Sequence, residues 1–104
     1  MHRLLVVYPP PADKQAFRDY YESHHLGLVA QLPGLRSYRW AFDVTAPDGS
    51  EAPYFCVFEA DFDDGAALDA ALASPEGQAA AADVPNYATG GAALMRFDVR
   101  EPAS

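Results

Sequence analysis

Two adjacent histidines, His24 and His25, are the side chains of this sequence best suited to moving a proton. Imidazole has an ordinary pKa of about 6.5, so it can both accept and release a proton at neutral pH. Tyr21 lies one helical turn before His25 and is placed to hydrogen-bond to it or to a ligand. We predict His25 as a general acid or base and His24 as the second candidate. The alternative is structural, because a histidine here can simply cap the helix end or bond to a carbonyl.

The apolar periodicity around the histidines predicts a helix over residues 13–32, with Asp13 as N-cap and Pro33-Gly34 as the stop. At about 100° per residue, one stripe of this helix holds Phe17, Tyr20, Tyr21, His24, Leu28 and Leu32. His24 is central in that stripe and is expected to pack against the sheet, while His25 lies on its shoulder. Which of the two faces a cavity stays open, because register near a helix end is easily off by one residue.

Aromatic side chains on the predicted strands are candidates for a ligand surface. Five of them are predicted to line a pocket between helices and sheet, where a flat apolar compound would stack: Tyr8, Tyr38, Trp40, Tyr54 and Phe58. Tyr87 and Thr89 follow the last helix and are expected to offer hydroxyl groups at the mouth of the pocket. The alternative is that these aromatic residues belong to the core or to a dimer interface.

Composition and spacing argue against several kinds of ligand. The formal net charge is -8, which disfavours nucleic acid and anionic membranes, since both require clustered Lys and Arg. Neighbouring helical histidines point about 100° apart and chelate one ion poorly, and no Cys/His cluster has ligand spacing. No phosphate-binding loop, nucleotide fingerprint or Ser-His-Asp spacing is present. We therefore expect no metal site and no cofactor.

The cysteine count and the termini bear on the compartment. Cys56 is the only cysteine, so no intrachain disulfide can form, and its apolar neighbours predict a buried small hydrophobe. The apolar run near the N-terminus is too short for a signal peptide, and no stretch approaches the roughly 18 apolar residues of a membrane helix. We expect a cytoplasmic protein.

The remaining periodicity predicts one α+β domain over residues 1–104. Strands are expected over residues 4–8, 35–45, 53–62 and 92–100, and further helices over residues 63–73 and 75–82. The order β-α-β-β-α-β is the ferredoxin-like plan, a four-stranded antiparallel sheet with the helices on one face. The first three strands are apolar or aromatic on both faces, so the uncovered face would be a large apolar patch. We predict a homodimer in which two open sheet faces meet.

Two blocks of the sequence resemble the EthD family of the dimeric α+β-barrel superfamily. The first is Phe17-x-x-Tyr20-Tyr21-x-x-His24-His25-Leu26-Gly27-Leu28-Val29, and the second is Ser74-Pro75-Glu76-Gly77 with Asp83-Val84-Pro85-Asn86-Tyr87-Ala88-Thr89-Gly90-Gly91. Gly27 stands where the family usually has proline. The resemblance implies the dimeric α+β barrel and an association with the breakdown or tailoring of small organic molecules. Relatives act as dehydratases or cyclases on aromatic polyketides.

These observations lead to three functional hypotheses. The first is a cofactor-independent lyase or isomerase acting on a small apolar, aromatic or carbonyl compound, with His25 transferring a proton in dehydration, isomerisation or cyclisation. The second is a cofactor-free monooxygenase, an activity reported for superfamily relatives. The third is a non-catalytic accessory protein of a degradative pathway, whose cavity holds a hydrophobic ligand without changing it.

Overall fold

Four antiparallel strands in the order β2-β3-β1-β4 form the sheet of this protein. The structure is a computed structural model and describes residues 1–103. The strands are β1 (His2–Tyr8), β2 (Ser37–Phe42), β3 (Cys56–Phe62) and β4 (Ala93–Asp98). The helical segments are α1 (Lys14–Tyr20), a π-helical segment (Tyr21–His25), α2 (Leu26–Val29), α3 (Gly65–Ala73), α4 (Pro75–Asp83) and a 3-10 turn (Val84–Asn86). The predicted ferredoxin-like α+β architecture is confirmed, with β1 two residues longer than predicted and the other three strands shorter.

Three helices begin at a side chain that accepts a hydrogen bond from a backbone N–H three residues later. Asp13 caps α1, Asp64 caps α3 and Ser74 caps α4. Pro75 occupies the first position of α4, where its missing N–H costs nothing. These caps fix where each helix starts relative to the strand before it.

The first helix, residues 14–29, is not α-helical throughout. The Leu26 N–H bonds to the carbonyl of Tyr21, five residues earlier, and this wider turn is a π-helix. The wider turn moves the inward stripe on by one residue, so that the buried positions are Phe17, Tyr21, His25, Leu26 and Val29. The prediction that His24 packs against the sheet is therefore wrong. Its side chain is 54% exposed, whereas that of His25 is 5% exposed.

The core lies between the first helix, α3 and one face of the sheet. The register places Leu4 opposite Ala60, Val6 opposite Phe58 and Tyr8 opposite Cys56 on that face. All six are buried, and they pack with the inward stripe of the first helix and with apolar residues of α3. Cys56 is a free thiol inside this core, as predicted.

The opposite face of the sheet, here called the open face, is divided into an apolar half and a charged half. The apolar half lies mainly on β1 and β4 and holds Leu5, Val7, Met95 and Phe97. The charged half lies toward β2 and β3, where Asp61 accepts hydrogen bonds from Arg3 at 2.7 Å and Arg39 at 3.2 Å. The prediction of an apolar open face on the first three strands thus holds for β1 and is wrong for much of β2 and β3.

Within residues 1–103, none of the helices has the length and apolar character needed to cross a membrane. The same residues contain no group of three or more His, Cys, Asp or Glu side chains placed to hold a metal ion.

Candidate active site

His25 ends the π-helical segment and is buried between two tyrosine rings. The centroid of its imidazole lies 4.6 Å from that of Tyr87 and 5.3 Å from that of Tyr21. Its Nδ1 lies 2.9 Å from Oδ2 of Asp83. A carboxylate can only accept, so Nδ1 carries the proton and Nε2 keeps its lone pair. No described residue forms a hydrogen bond to Nε2, which leaves this nitrogen available to a ligand.

Asp83 is the last residue of α4, and its side chain is 5% exposed. Its Oδ1 accepts hydrogen bonds from the Tyr20 hydroxyl at 2.5 Å and the Asn86 amide at 3.0 Å. The Nε2 atom of exposed His24 lies 3.6 Å from the same oxygen. Because both carboxylate oxygens are engaged, Asp83 holds the His25 ring in one orientation and one tautomer.

The protonation states of the pair follow from burial and hydrogen bonding. Burial lowers the pKa of His25 below its ordinary value, although the Asp83 carboxylate acts in the opposite direction. Burial also opposes ionisation of Asp83, but hydrogen bonds from Tyr20, Asn86 and His25 bring the pKa of Asp83 below its usual range. At neutral pH the pair is therefore an ionised carboxylate and a neutral imidazole, which is the form of a general base.

A cavity of about 80 Å³, here called the His25 cavity, lies between the helices and the core face of the sheet. Its lining is almost entirely aliphatic and aromatic, and Tyr8, Tyr21 and His25 supply the only polar side-chain atoms among the lining residues. Leu72 and Leu94 also line it and are 39% and 58% exposed, so they mark its solvent side. The arrangement suits a small, uncharged, largely hydrocarbon ligand.

Three buried tyrosines, Tyr8, Tyr21 and Tyr87, pack against one another beside the imidazole. The Tyr8 and Tyr87 hydroxyls hydrogen-bond to each other at 2.8 Å. The Tyr21 hydroxyl is buried and has no hydrogen-bond partner among the described residues. Burial raises the pKa of all three phenols, so each keeps its proton at neutral pH. They are neutral hydrogen-bonding groups rather than bases.

The structure brings four of the predicted site residues to one cavity, namely Tyr8, Tyr21, His25 and Phe58. Tyr87 contacts His25 without lining that cavity. Thr89 instead accepts a hydrogen bond from the backbone N–H of Ala12. The two residues predicted at the pocket mouth therefore have other contacts. Thr89 holds the backbone at Ala12, and Tyr87 packs against the imidazole of His25.

Tyr38 and Trp40 lie outside the His25 cavity, which corrects the predicted lining. Both are on the edge strand β2, where their rings stack at 6.2 Å, and the Trp40 indole donates a hydrogen bond to Glu22 at 3.1 Å. Tyr54 lines a different cavity, of about 240 Å³, beside the β2–β3 connection. Strand alternation identified the correct sheet face for Tyr38 and Trp40, but it carries no information on which end of that face is hollow.

Sequence reasoning missed Asp83, Tyr20 and Asn86 as site residues. A signal for Asp83 was available, because a carboxylate in the last turn of a helix opposes the helix dipole and needs a compensating partner. Asp83 occupies that position in α4. Tyr20 and Asn86 had no comparable signal, since their role depends on how the first helix and the turn after α4 approach each other.

Several known proteins resemble this chain in sequence and in fold. The sequence profile of the EthD domain matches residues 9–91. An uncharacterised 11.0 kDa protein in the thcB–thcC intergenic region of Rhodococcus erythropolis is 39% identical over 98 residues, covering 94% of each chain. An ethyl tert-butyl ether D (EthD) family protein from Bacillus halodurans matches with a TM-score of 0.89 at 31% identity, covering 96% of this chain and 99% of that one.

Two further solved structures share the fold at lower identity. A dimeric ferredoxin-like protein of unknown function from Jannaschia matches with a TM-score of 0.68 at 25% identity, covering 95% of this chain and all of that one (100%). A hydroxynitrile lyase from Passiflora edulis matches with a TM-score of 0.75 at 14% identity, covering 99% of this chain and 95% of that one. At that identity the second likeness concerns the fold alone.

Proposed function

This chain belongs to the EthD domain family, and on that premise we propose that it is an enzyme that moves a proton on a small, largely apolar organic compound. His25 is the acid and base, and Asp83 positions it. The observation that carries the proposal is the pairing of a buried imidazole with a buried carboxylate at 2.9 Å, beside an apolar cavity.

The chemistry follows from the free lone pair on Nε2 of His25. That atom accepts a proton from a carbon or hydroxyl of the ligand, and the resulting imidazolium keeps its Nδ1–H bond to the Asp83 carboxylate. Returning the proton to a different carbon gives an isomerisation. Giving it to a departing hydroxyl releases water and gives a dehydration. Both outcomes need only the groups present at the site.

The burial of the pair supports a catalytic role over a purely structural one. Asp83 holds Nδ1 of His25, and Nε2 has no partner among the described residues, so its lone pair is available to a ligand in the cavity. Its depressed pKa keeps it in the basic form at neutral pH. The hydroxynitrile lyase of similar fold supports the capacity of this architecture to hold a lyase site, without assigning any residue.

The same proposal includes a homodimer formed through the open face. Met95 and Phe97 are 44% and 42% exposed there, an arrangement that favours a covering partner. The charged half carries Arg3 and Arg39 paired with Glu59 and Asp61, so it can be covered without leaving an unpaired charge. The dimeric ferredoxin-like protein from Jannaschia supports the same assembly.

Proton exchange in D₂O tests the proposal without knowledge of the physiological product. A base beside a bound ketone replaces the hydrogens next to the carbonyl by deuterium, which NMR follows directly. We expect the protein to accelerate this exchange for small ketones, and His25→Gln to slow it by about 100-fold or more. His24→Gln, at the neighbouring exposed position, is the matched comparison, and its rate should fall by much less than that of His25→Gln.

The alternative outcomes separate the hypotheses. Exchange that survives His25→Gln would contradict the assigned base. If the ketones shift NMR signals of the cavity residues but no exchange is catalysed, the protein is the non-catalytic binding protein of the third hypothesis. The monooxygenase hypothesis stays a prediction that oxygen consumption with an electron-rich aromatic substrate would test.

A further inference from the structure

We propose that the ligand of the His25 cavity is an uncharged compound with a hydrocarbon chain, whose small reactive end enters the cavity while the chain lies in the opening between α4 and β4. This inference deepens the proposed function, on which it rests for the role of His25. It assigns Ala81 and Leu94, on the two sides of the opening, as specificity-determining residues that contact the chain.

The exposure of the lining residues locates the opening of the His25 cavity. The lining residues that belong to β1, β3 and the first helix are all buried, His25 among them. Leu72 at the end of α3, Ala81 on α4 and Leu94 on β4 also line the cavity, and all three are exposed. The cavity therefore meets solvent between α4 and β4.

The α4 side of the opening is formed by small side chains. Residues three and four apart on a helix share one face, and the face of α4 toward the cavity consists of Gly77, Ala80 and Ala81. Glycine and alanine reach only a short distance from the helix, so they leave room for a chain between α4 and β4. Because this face carries no polar side-chain atom, it suits a hydrocarbon group.

Leu94 forms the β4 side of the opening. It pairs with Val6, a core residue, so its side chain faces the helices and a partner seated on the open face would not cover it. Arg96, two residues further along the same side of β4, is bonded to Asp69 and to the carbonyl of Gly65, so it is not free to bind an anionic ligand. Both sides of the opening are therefore apolar, and neither offers a partner to a charged group.

The size of the cavity decides how much of a ligand it can hold. Its volume is about 80 Å³, whereas an apolar protein cavity that binds benzene measures about 150 Å³. The His25 cavity therefore holds only a few carbon and oxygen atoms. A ligand confined to it would leave the apolar rim at Leu72, Ala81 and Leu94 in water, whereas a hydrocarbon chain in the opening covers that rim.

Two methyl ketones of different chain length test the proposal. Butanone and methyl hexyl ketone share the same reactive end, so their dissociation constants, measured by NMR titration of the full chain, isolate the contribution of the hydrocarbon chain. We expect the wild-type protein to bind methyl hexyl ketone about tenfold more tightly or better, since part of each added CH₂ group leaves water. Nuclear Overhauser contacts from the end of that chain should reach the methyl groups of Ala81 and Leu94.

Variants at the opening test the assigned residues. Ala81→Gln places a polar amide in the path of the chain, and Leu94→Ala removes an apolar contact. Each should weaken the binding of methyl hexyl ketone by about threefold or more and leave that of butanone within about twofold. Ala82→Gln is the matched control, because Ala82 is exposed on α4 and does not line the cavity. It should alter neither dissociation constant.

Each outcome bears on the proposal. Equal wild-type affinities for the two ketones would overturn it without reliance on any variant, and so would failure of both to bind. A chain-length preference that persists unchanged in Ala81→Gln and Leu94→Ala would also contradict it. A preference that both variants reduce, but without deuterium exchange in either ketone, would support the inference while refuting proton transfer by His25. Exchange of butanone that requires His25, without any preference for the longer chain, would do the reverse.

Discussion

Asp83 decides which nitrogen of His25 is free to react. In Asp83→Asn the amide can donate to Nδ1, which favours the tautomer with the proton on Nε2 and removes the lone pair that faces the ligand. We expect deuterium exchange to slow by about 100-fold or more. Nitrogen-15 NMR of the imidazole should report the change of tautomer. An Asp83→Asn protein with wild-type exchange would show that the carboxylate is only structural.

A second variant tests how much a hydrogen bond that orients the Asp83 carboxylate contributes, compared with the charge of that carboxylate. Asn86→Ala removes one hydrogen bond to the carboxylate and leaves the bond between Asp83 and His25 in place. Its exchange rate should fall by less than about tenfold, which is about 1.4 kcal/mol, because the carboxylate keeps its hydrogen bonds from Tyr20 and His25. A loss as large as that of Asp83→Asn would mean that the turn after α4, rather than the carboxylate, maintains the site.

The pKa of His25 predicts a dependence of stability on pH. Because the folded pKa lies below the ordinary value of 6.5, the unfolded chain binds more protons between the two values. Stability is therefore fully present above about pH 6.5 and is lost as the pH falls toward the folded pKa, by up to about 1.4 kcal/mol per pH unit. The lowered pKa of Asp83 acts in the same direction, but below its ordinary 3.8.

Urea unfolding from about pH 5 to about pH 7.5 measures this contribution. His25→Gln should flatten the dependence on pH, whatever its effect on absolute stability. An unchanged slope in His25→Gln would show that another group is responsible.

At the scale of single residues, the sequence showed which residue types could transfer a proton, but it did not show which of them face inward on the first helix. It predicted His25 and Tyr21 as candidates, since imidazole and phenol chemistry can be read from the residues alone. It placed His24 inward because an α-helical wheel was assumed over five residues that form a π-helix. It could not bring Asp83 to His25, because a contact between residues 58 positions apart depends on helix docking.

At the scale of elements, the close packing of α3 on α4 sets one wall of the cavity. A methyl group at Gly77 would lie 2.1 Å from the carbonyl oxygen of Ala71 and 2.8 Å from that of Leu72. Gly77→Ala therefore has to move α4 away from α3, and we expect the free energy of unfolding to fall by about 1–3 kcal/mol. Thermal or urea unfolding measures the change.

Gly27 offers the opposite case in another helix. It lies in α2, and nothing comes within 4 Å of an added methyl group there. Gly27→Ala should raise stability by up to about 1 kcal/mol through helix propensity. If both variants were equally stable, the close approach at Gly77 would not constrain the fold. The sequence predicted both helices and their caps, but glycine alone does not show which position another backbone approaches.

At the scale of the whole molecule, the open face predicts how copies associate. Met95→Asp places a carboxylate opposite Leu5, among the apolar side chains of β1 and β4, where a covering partner would bury it. We expect a dimer for the wild type and a monomer for this variant, measured by light scattering at micromolar concentration. Tyr54→Asp, outside the open face, is the control and should remain dimeric. A monomeric wild type would refute the assembly.

The strand order and the open face could be predicted, because the alternation of side chains along a strand and the order of helices and strands can be read from the sequence. The division of that face into apolar and charged halves could not, since it depends on the register that sets Arg3 opposite Asp61. If β1 paired with β3 one residue out of this register, charged side chains such as Arg3 or Asp61 would lie on the core face of the sheet. The charged half thus specifies the pairing of β1 with β3 as well as neutralising the surface.

The π-helical turn also has a consequence for the lengths of related chains. A π-helical turn holds one residue more than an α-helical turn, and here the additional residue falls among Glu22, Ser23 and His24, all exposed. A relative lacking one residue in this stretch can form an uninterrupted α-helix with the same inward side chains. Alignments should then show a single-residue gap between the positions of Tyr21 and His25.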